Sequence, residues 1–124
     1  MMQKEPSEVL SEFLNFLDEC EIRYQTAHDA VGLEDRRLQD LLHEMEFAEG
    51  ENAKRRAGTK IQQSRRARRR QKDEVQKLER IVNFFHEQNH RSTVKKMRQL
   101  LGQQRKEEEF LKGKRTYKPR VKKE

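Results

Sequence analysis

Every seventh residue from Leu10 to Met45 is apolar: Leu10, Leu17, Tyr24, Val31, Leu38 and Met45. The companion positions three further on are Phe13, Cys20, Ala27, Glu34, Leu41 and Ala48, of which only Glu34 is neither apolar nor small. A seven-residue repeat of this length places one stripe along a helix, and that stripe needs another helix to cover it. Leu14, Phe16 and Leu42 widen it at both ends. Pro6 suits a first helical turn, and Glu5 and Glu8 favour the positive end of the helix dipole. The pattern stops near Gly50, so a first helix is predicted over about 7–49. Gly32 lies inside it and is expected to mark a bend or a close helix contact.

A second seam runs through Ala53, Ala57, Ile61, Ser64, Ala67 or Arg68, Gln71, Val75, Leu78, Val82 and Phe85. Its first half is small and polar, and its second half, with Ile81 and Phe84, is apolar. A reversal near Gly50 sets Val75–Phe85 beside Leu10–Tyr24, so that the two apolar halves coincide. The interruption at Asn89–Thr93, with Ser92 or Thr93 as a cap, predicts a second helix over 52–89 and a third over 93–111, the third carrying Val94, Met97, Leu100 and Leu101. The expected fold is all-α: a long antiparallel, coiled-coil-like hairpin with a shorter third helix. Residues 1–111 form one helical domain and 112–124 a basic tail. A homodimer through the seam is the alternative to a three-helix bundle.

Composition agrees. Ala, Glu, Lys, Leu and Arg make up 63 of 124 residues, the balance of a long helix, and 31% hydrophobic residues are too few for an enzyme fold built on a central sheet. No apolar run is long enough to span a bilayer, the N-terminus lacks a basic-then-apolar signal pattern, and Cys20 is the single cysteine. A cytoplasmic protein without membrane contact is the expectation.

Charge is divided along the chain. Residues 1–51 hold 4 Lys/Arg against 14 Asp/Glu, and the remainder 25 against 8. From residue 54 to 72 there are ten cations and no acid: Lys54, Arg55, Arg56, Lys60, Arg65, Arg66, Arg68, Arg69, Arg70 and Lys72. The hairpin lays them beside Asp29, Glu34, Asp35, Asp40, Glu44, Glu46 and Glu49, which neutralise some of them. The run wraps the helix, so an outward basic stripe is expected to remain. Lys and Arg bind phosphates by releasing counterions, and Arg grips them in a fork. Aromatic residues for base stacking are nearly absent outside the packing faces, which points to backbone, RNA shape or a ribonucleoprotein surface. Lys114, Arg115, Tyr117, Lys118 and Arg120 form a basic arm that orders on an anionic partner or remains a solvated terminus.

Other motifs carry less. His86-Glu87-Gln88-Asn89-His90 has the spacing of a zinc-peptidase helix, but no third histidine follows and few core residues remain to build a cleft. It is read as a solvated helix end, and no metal or cofactor is expected. Glu107-Glu108-Glu109 is read as a solvated charged face, and Cys20 as a packed thiol.

The run Ser64-Arg65-Arg66-Ala67-Arg68-Arg69-Arg70-Gln71-Lys72-Asp73 resembles small proteins encoded in prophages and other mobile elements of Gram-positive bacteria. Leu100-Leu101-Gly102-Gln103 and Arg115-Thr116-Tyr117-Lys118-Pro119-Arg120-Val121 share the likeness, which spans about 10–121. It implies a small, helical, non-enzymatic phage accessory protein, of a kind that regulates phage genes or blocks host nucleases, CRISPR effectors included. The group has no defined site, so no functional residue is carried over. The expected function is binding of nucleic acid or a ribonucleoprotein through the Arg-rich helix, with inhibition of a nuclease as one consequence. The alternative is a coiled-coil assembly factor that touches no nucleic acid.

Overall fold

The computed structural model describes residues 3–114 together with Tyr117, Pro119 and Val121. Among these residues the fold is all-α, with no strand: α1 (Pro6–Phe47), α2 (Glu51–His86) and α3 (Gln88–Lys112). Its 42 residues make α1 about 63 Å long at 1.5 Å per residue. Pro6 stands in its first turn, where its missing N–H costs nothing. The chain reverses through Ala48, Glu49 and Gly50. Gly50 has φ +85°, a region that side chains other than glycine's enter at a cost.

Beyond this turn α2 runs back along α1. Lys60 lies at Glu44, Ser64 at Glu34, Glu74 at Arg23 and Phe85 at Phe13, so rising numbers on α2 meet falling numbers on α1. This is the predicted antiparallel hairpin. The residues of the expected α2 seam, Ala53 through Phe85, are all buried or half-buried. On α1 the companion series carries most of the burial: Cys20, Ala27, Glu34 and Leu41 are buried, whereas of the Leu10 series only Leu17 is.

The two apolar halves coincide as predicted. Cys20, Leu78 and Val82 form the tightest cluster, with Tyr24 and Ile81 packed against it and Leu14 and Leu17 buried nearby. Each such aliphatic side chain withdrawn from water contributes about 1.5–3 kcal/mol. Toward the turn the buried residues are small apart from Leu41 and Glu34, namely Ala27, Ala57 and Ser64, and the helices are joined there by polar contacts as well.

Two local expectations are corrected. The second break falls at Glu87, not within Asn89–Thr93. Glu87 alone leaves helical geometry (φ −61°, ψ 139°), and Asn89–Thr93 lie inside α3. The Thr93 hydroxyl does not cap; it donates back to the Asn89 carbonyl at 3.0 Å. His90 fixes the new corner: its ring stacks 3.9 Å from Phe84, and its Nδ1 lies 2.7 Å from the Phe84 carbonyl oxygen. Gly32 marks no close helix contact: α1 passes through it unbroken, and no atom of another helix lies within 4 Å of where a Cβ would stand.

α3 continues in the sense of α2, antiparallel to the first half of α1. Arg98 bonds Asp18 at 2.8 Å, Arg105 reaches Ser11 at 3.3 Å, Glu108 holds Ser7, and Lys112 lies 3.8 Å from Glu5. Its inward row, Val94, Met97, Leu101, Gln104 and Glu108, is half-buried, and α3 contains no buried residue. Among the described residues, no helix is long and apolar enough to cross a membrane.

Candidate nucleic-acid interface

The basic segment occupies the turn-proximal half of α2, about 27 Å of straight helix. Ala57 and Ser64 face α1, with Ala53 and Ile61 half-buried beside them. The cations therefore stand on the remaining circumference. Two of the ten are engaged by α1 carboxylates: Lys60 with Glu44 at 3.2 Å and Arg68 with Asp35 at 2.5 Å. Both pairs are solvent-facing and contribute about 0–1 kcal/mol each. Lys54, Arg55, Arg56, Arg65, Arg66, Arg69, Arg70 and Lys72 are all exposed, and none has a carboxylate within 4.0 Å among the described residues.

The acids of α1 do not follow the cations around the helix. Glu34 points into the seam, where it accepts hydrogen bonds from Ser64 Oγ at 2.9 Å and Arg37 Nη1 at 2.6 Å. Glu46 lies 3.8 Å from His43 on its own helix. Among the described residues, only Asp35 and Glu44 reach across to cations of the basic segment.

Apart from Lys54, the free cations sort into three rows. Successive residues advance by about 100° around a helix, so positions seven apart share a side. Arg65, Arg69 and Lys72 line one groove with Asp35 and Leu38 of α1. Arg70 lines the opposite groove with Arg37, Leu41 and Lys60, and Arg56 continues that side toward the turn. Between them, on the side of the helix opposite Ala57 and Ser64, stand Arg55, Gln62 and Arg66, all exposed.

The end of α3, from which the tail leaves, is apart from this segment. α3 ends at Gly113 beside the start of α1, roughly 30 Å along the hairpin from Lys72. Lys114 and Tyr117 are exposed. Arg115, Lys118 and Arg120 lie outside the described residues. The Arg-rich block is thus brought together as one surface, and Lys114, next to the end of α3, is not part of it.

The zinc-like spacing does not sit on a continuous helix. The break at Glu87 separates His86 on α2 from His90 on α3. His86 Nε2 lies 2.9 Å from Glu21, and His90 is held against Phe84. Among the described residues, no group of three or more His, Cys, Asp or Glu side chains is arranged to hold a metal ion.

Sequence reasoning missed the role of Glu108. It is no solvated face residue: its carboxylate is half-buried against the first turn of α1. It accepts the Ser7 backbone N–H at 2.9 Å, the Ser7 hydroxyl, and Gln104 Nε2 at 3.0 Å. The Ser7 hydroxyl is the main cause holding this carboxyl below the usual carboxylate range, with Gln104, the Ser7 amide and the Lys112 charge adding to it. An acid at a helix start satisfies an orphan donor and complements the dipole, and here it comes from a different helix. Only the placement of α3 over Ser7 could have revealed it.

No family model matches the chain, nor does any curated protein or solved structure.

Proposed function

We propose that this protein is a non-enzymatic nucleic-acid-binding protein whose contact surface is the basic half of α2. The observation that carries the reading is the set of eight exposed cations without carboxylate partners among the described residues, displayed on a rigid helix backed by α1. Seven of the ten cations of the segment are arginines, the side chain suited to forked contact with phosphate. Such a surface gains affinity from counterion release and loses it steeply with added salt. A protein seated on nucleic acid in this way denies it to a nuclease, which is the route to the inhibitory role implied by the likeness to phage accessory proteins.

The test is a triple charge reversal, Arg66→Glu, Arg69→Glu and Arg70→Glu, in the full chain. Fluorescence anisotropy on labelled nucleic acid should show affinity reduced at least tenfold. The salt slope should fall by about one for each phosphate that is no longer neutralised. Unchanged affinity would overturn the proposal.

A second reading, assembly through apolar contact, has one observation in its favour. Val9, Phe13 and Phe16 form an exposed row on α1, with Phe13 in ring contact with Phe16 and Phe85, and Phe84 exposed beside Phe85. Sedimentation showing a stable oligomer, combined with no binding to DNA or RNA at physiological salt, would favour it.

A further inference from the structure

We infer that the form of nucleic acid this surface takes is duplex DNA, with the outer half of α2 seated lengthwise in the major groove. The inference rests on the binding role proposed above and concerns which polyanion fits.

Three observations point to it. The first is what the surface lacks. Between Phe47 and Phe84 the chain has no aromatic residue. Proteins that hold single strands stack the bases on aromatic rings, and this face offers none. The second is its shape. α1 covers one side of α2, so the basic segment is a convex ridge one helix wide, about 10–12 Å with side chains. The B-form major groove is about 12 Å wide and about 8.5 Å deep, and admits a helix. The A-form major groove of duplex RNA is deep and too narrow for side chains to read.

The third is the arrangement of charge. Arg65, Arg69 and Lys72 stand on one flank of the ridge, and Arg56 and Arg70 on the other. A helix lying in a groove meets a phosphate strand on each side, and the two flanks supply cations to both. Along the crest stand Arg55, Gln62 and Arg66, all exposed. Arg pairs with the O6 and N7 edge of guanine and Gln with the N6 and N7 edge of adenine, so crest residues have the chemistry to meet base edges while the flanks meet backbone. The α1 acids that reach cations of this half of α2 among the described residues, Asp35 and Glu44, are held by Arg68 and Lys60 low on its flanks, away from the crest.

The experiment uses the full chain and four labelled probes of one sequence: a 20-base-pair DNA duplex, the same duplex in RNA, and the single DNA and RNA strands, at one salt concentration. Duplex DNA should bind at least tenfold more tightly than the other three. Methyl green, which occupies the major groove, should displace the protein, and a minor-groove polyamide should not. The crest variant Gln62→Ala with Arg66→Ala should narrow the spread of affinities among duplexes of different sequence. The flank variant Arg65→Ala with Arg70→Ala should weaken all duplexes alike. Both change exposed helix positions, and circular dichroism confirms that the hairpin is intact. Equal or tighter binding to either RNA probe or to single strands, or displacement by the minor-groove ligand, would overturn the major-groove assignment and leave the binding role standing. Binding to none of the four would remove both.

Discussion

Ser64 Oγ donates a 2.9 Å hydrogen bond to Glu34 Oε2, and both residues are buried at facing positions of the two helix seams. The single acid that interrupts the α1 repeat thus meets the single hydroxyl of the small half of the α2 seam, with Arg37 closing the second carboxylate oxygen at 2.6 Å. A polar pair of this kind specifies register at a cost in stability. Ser64→Ala leaves the carboxylate one donor short and should destabilise the hairpin by about 1–3 kcal/mol in a urea melt. Glu34→Leu combined with Ser64→Ala should restore or exceed the original stability. It should also lose uniqueness, seen by sedimentation as mixed oligomers.

Acid should release α3 before it unfolds the hairpin. Glu108 has its folded pKa below the ordinary value of about 4.3. Its contribution is therefore complete above that value and is lost as pH falls through the folded one. Hydrogen exchange across a pH series should show α3 amides losing protection in this acid window, ahead of those around Leu78. Glu108→Gln should give the same loss near neutral pH, and a variant indistinguishable from the original chain would refute the capping role.

Two helical glycines have room to spare. Nothing lies within 4 Å of a Cβ built on Gly32 or Gly102. Gly32→Ala and Gly102→Ala should each stabilise by about 0.5–1 kcal/mol, since alanine costs less backbone entropy in a helix. Gly50→Ala should act in the opposite direction, because φ +85° suits glycine. Thermal melts of the three variants test the contrast.

Cys20 reports on opening of the core. Its side chain is 2% exposed beside Leu78 and Val82, and burial raises its pKa. Alkylation at pH 8 should be slow in the folded chain and fast in denaturant. Leu78→Ala, which removes packing on the thiol and costs about 2–5 kcal/mol, should accelerate it. Rapid alkylation of the native chain would contradict the placement of Cys20.

Much of this architecture was legible because it follows from periodicity. The seven-residue spacing of Leu10 and Leu17, the companion series through Cys20, and the series from Ala53 to Phe85 depend only on helical geometry, and the hairpin brought them together. The Arg-rich segment was legible for the same reason: Ala57 and Ser64 take the inward positions and leave the guanidinium groups outside. What depends on distant partners was hidden. Glu34 read as an exception to the seam until Ser64 stood opposite it. The corner at Glu87 carries no glycine or proline and is held by the stacking of His90 on Phe84. Glu108 read as one of three solvated acids because its partner, Ser7, is 101 positions away.

α3 joins the hairpin through half-buried and polar contacts alone, so it should lift away far more often than α1 and α2 separate. It also carries Arg91, Lys95, Lys96, Arg98, Arg105 and Lys106, each a trypsin target once the helix is loose. The lifetime of the intact molecule in the presence of a protease is then governed by the docking equilibrium of its last helix, and a long-lived two-helix fragment is the product that accumulates.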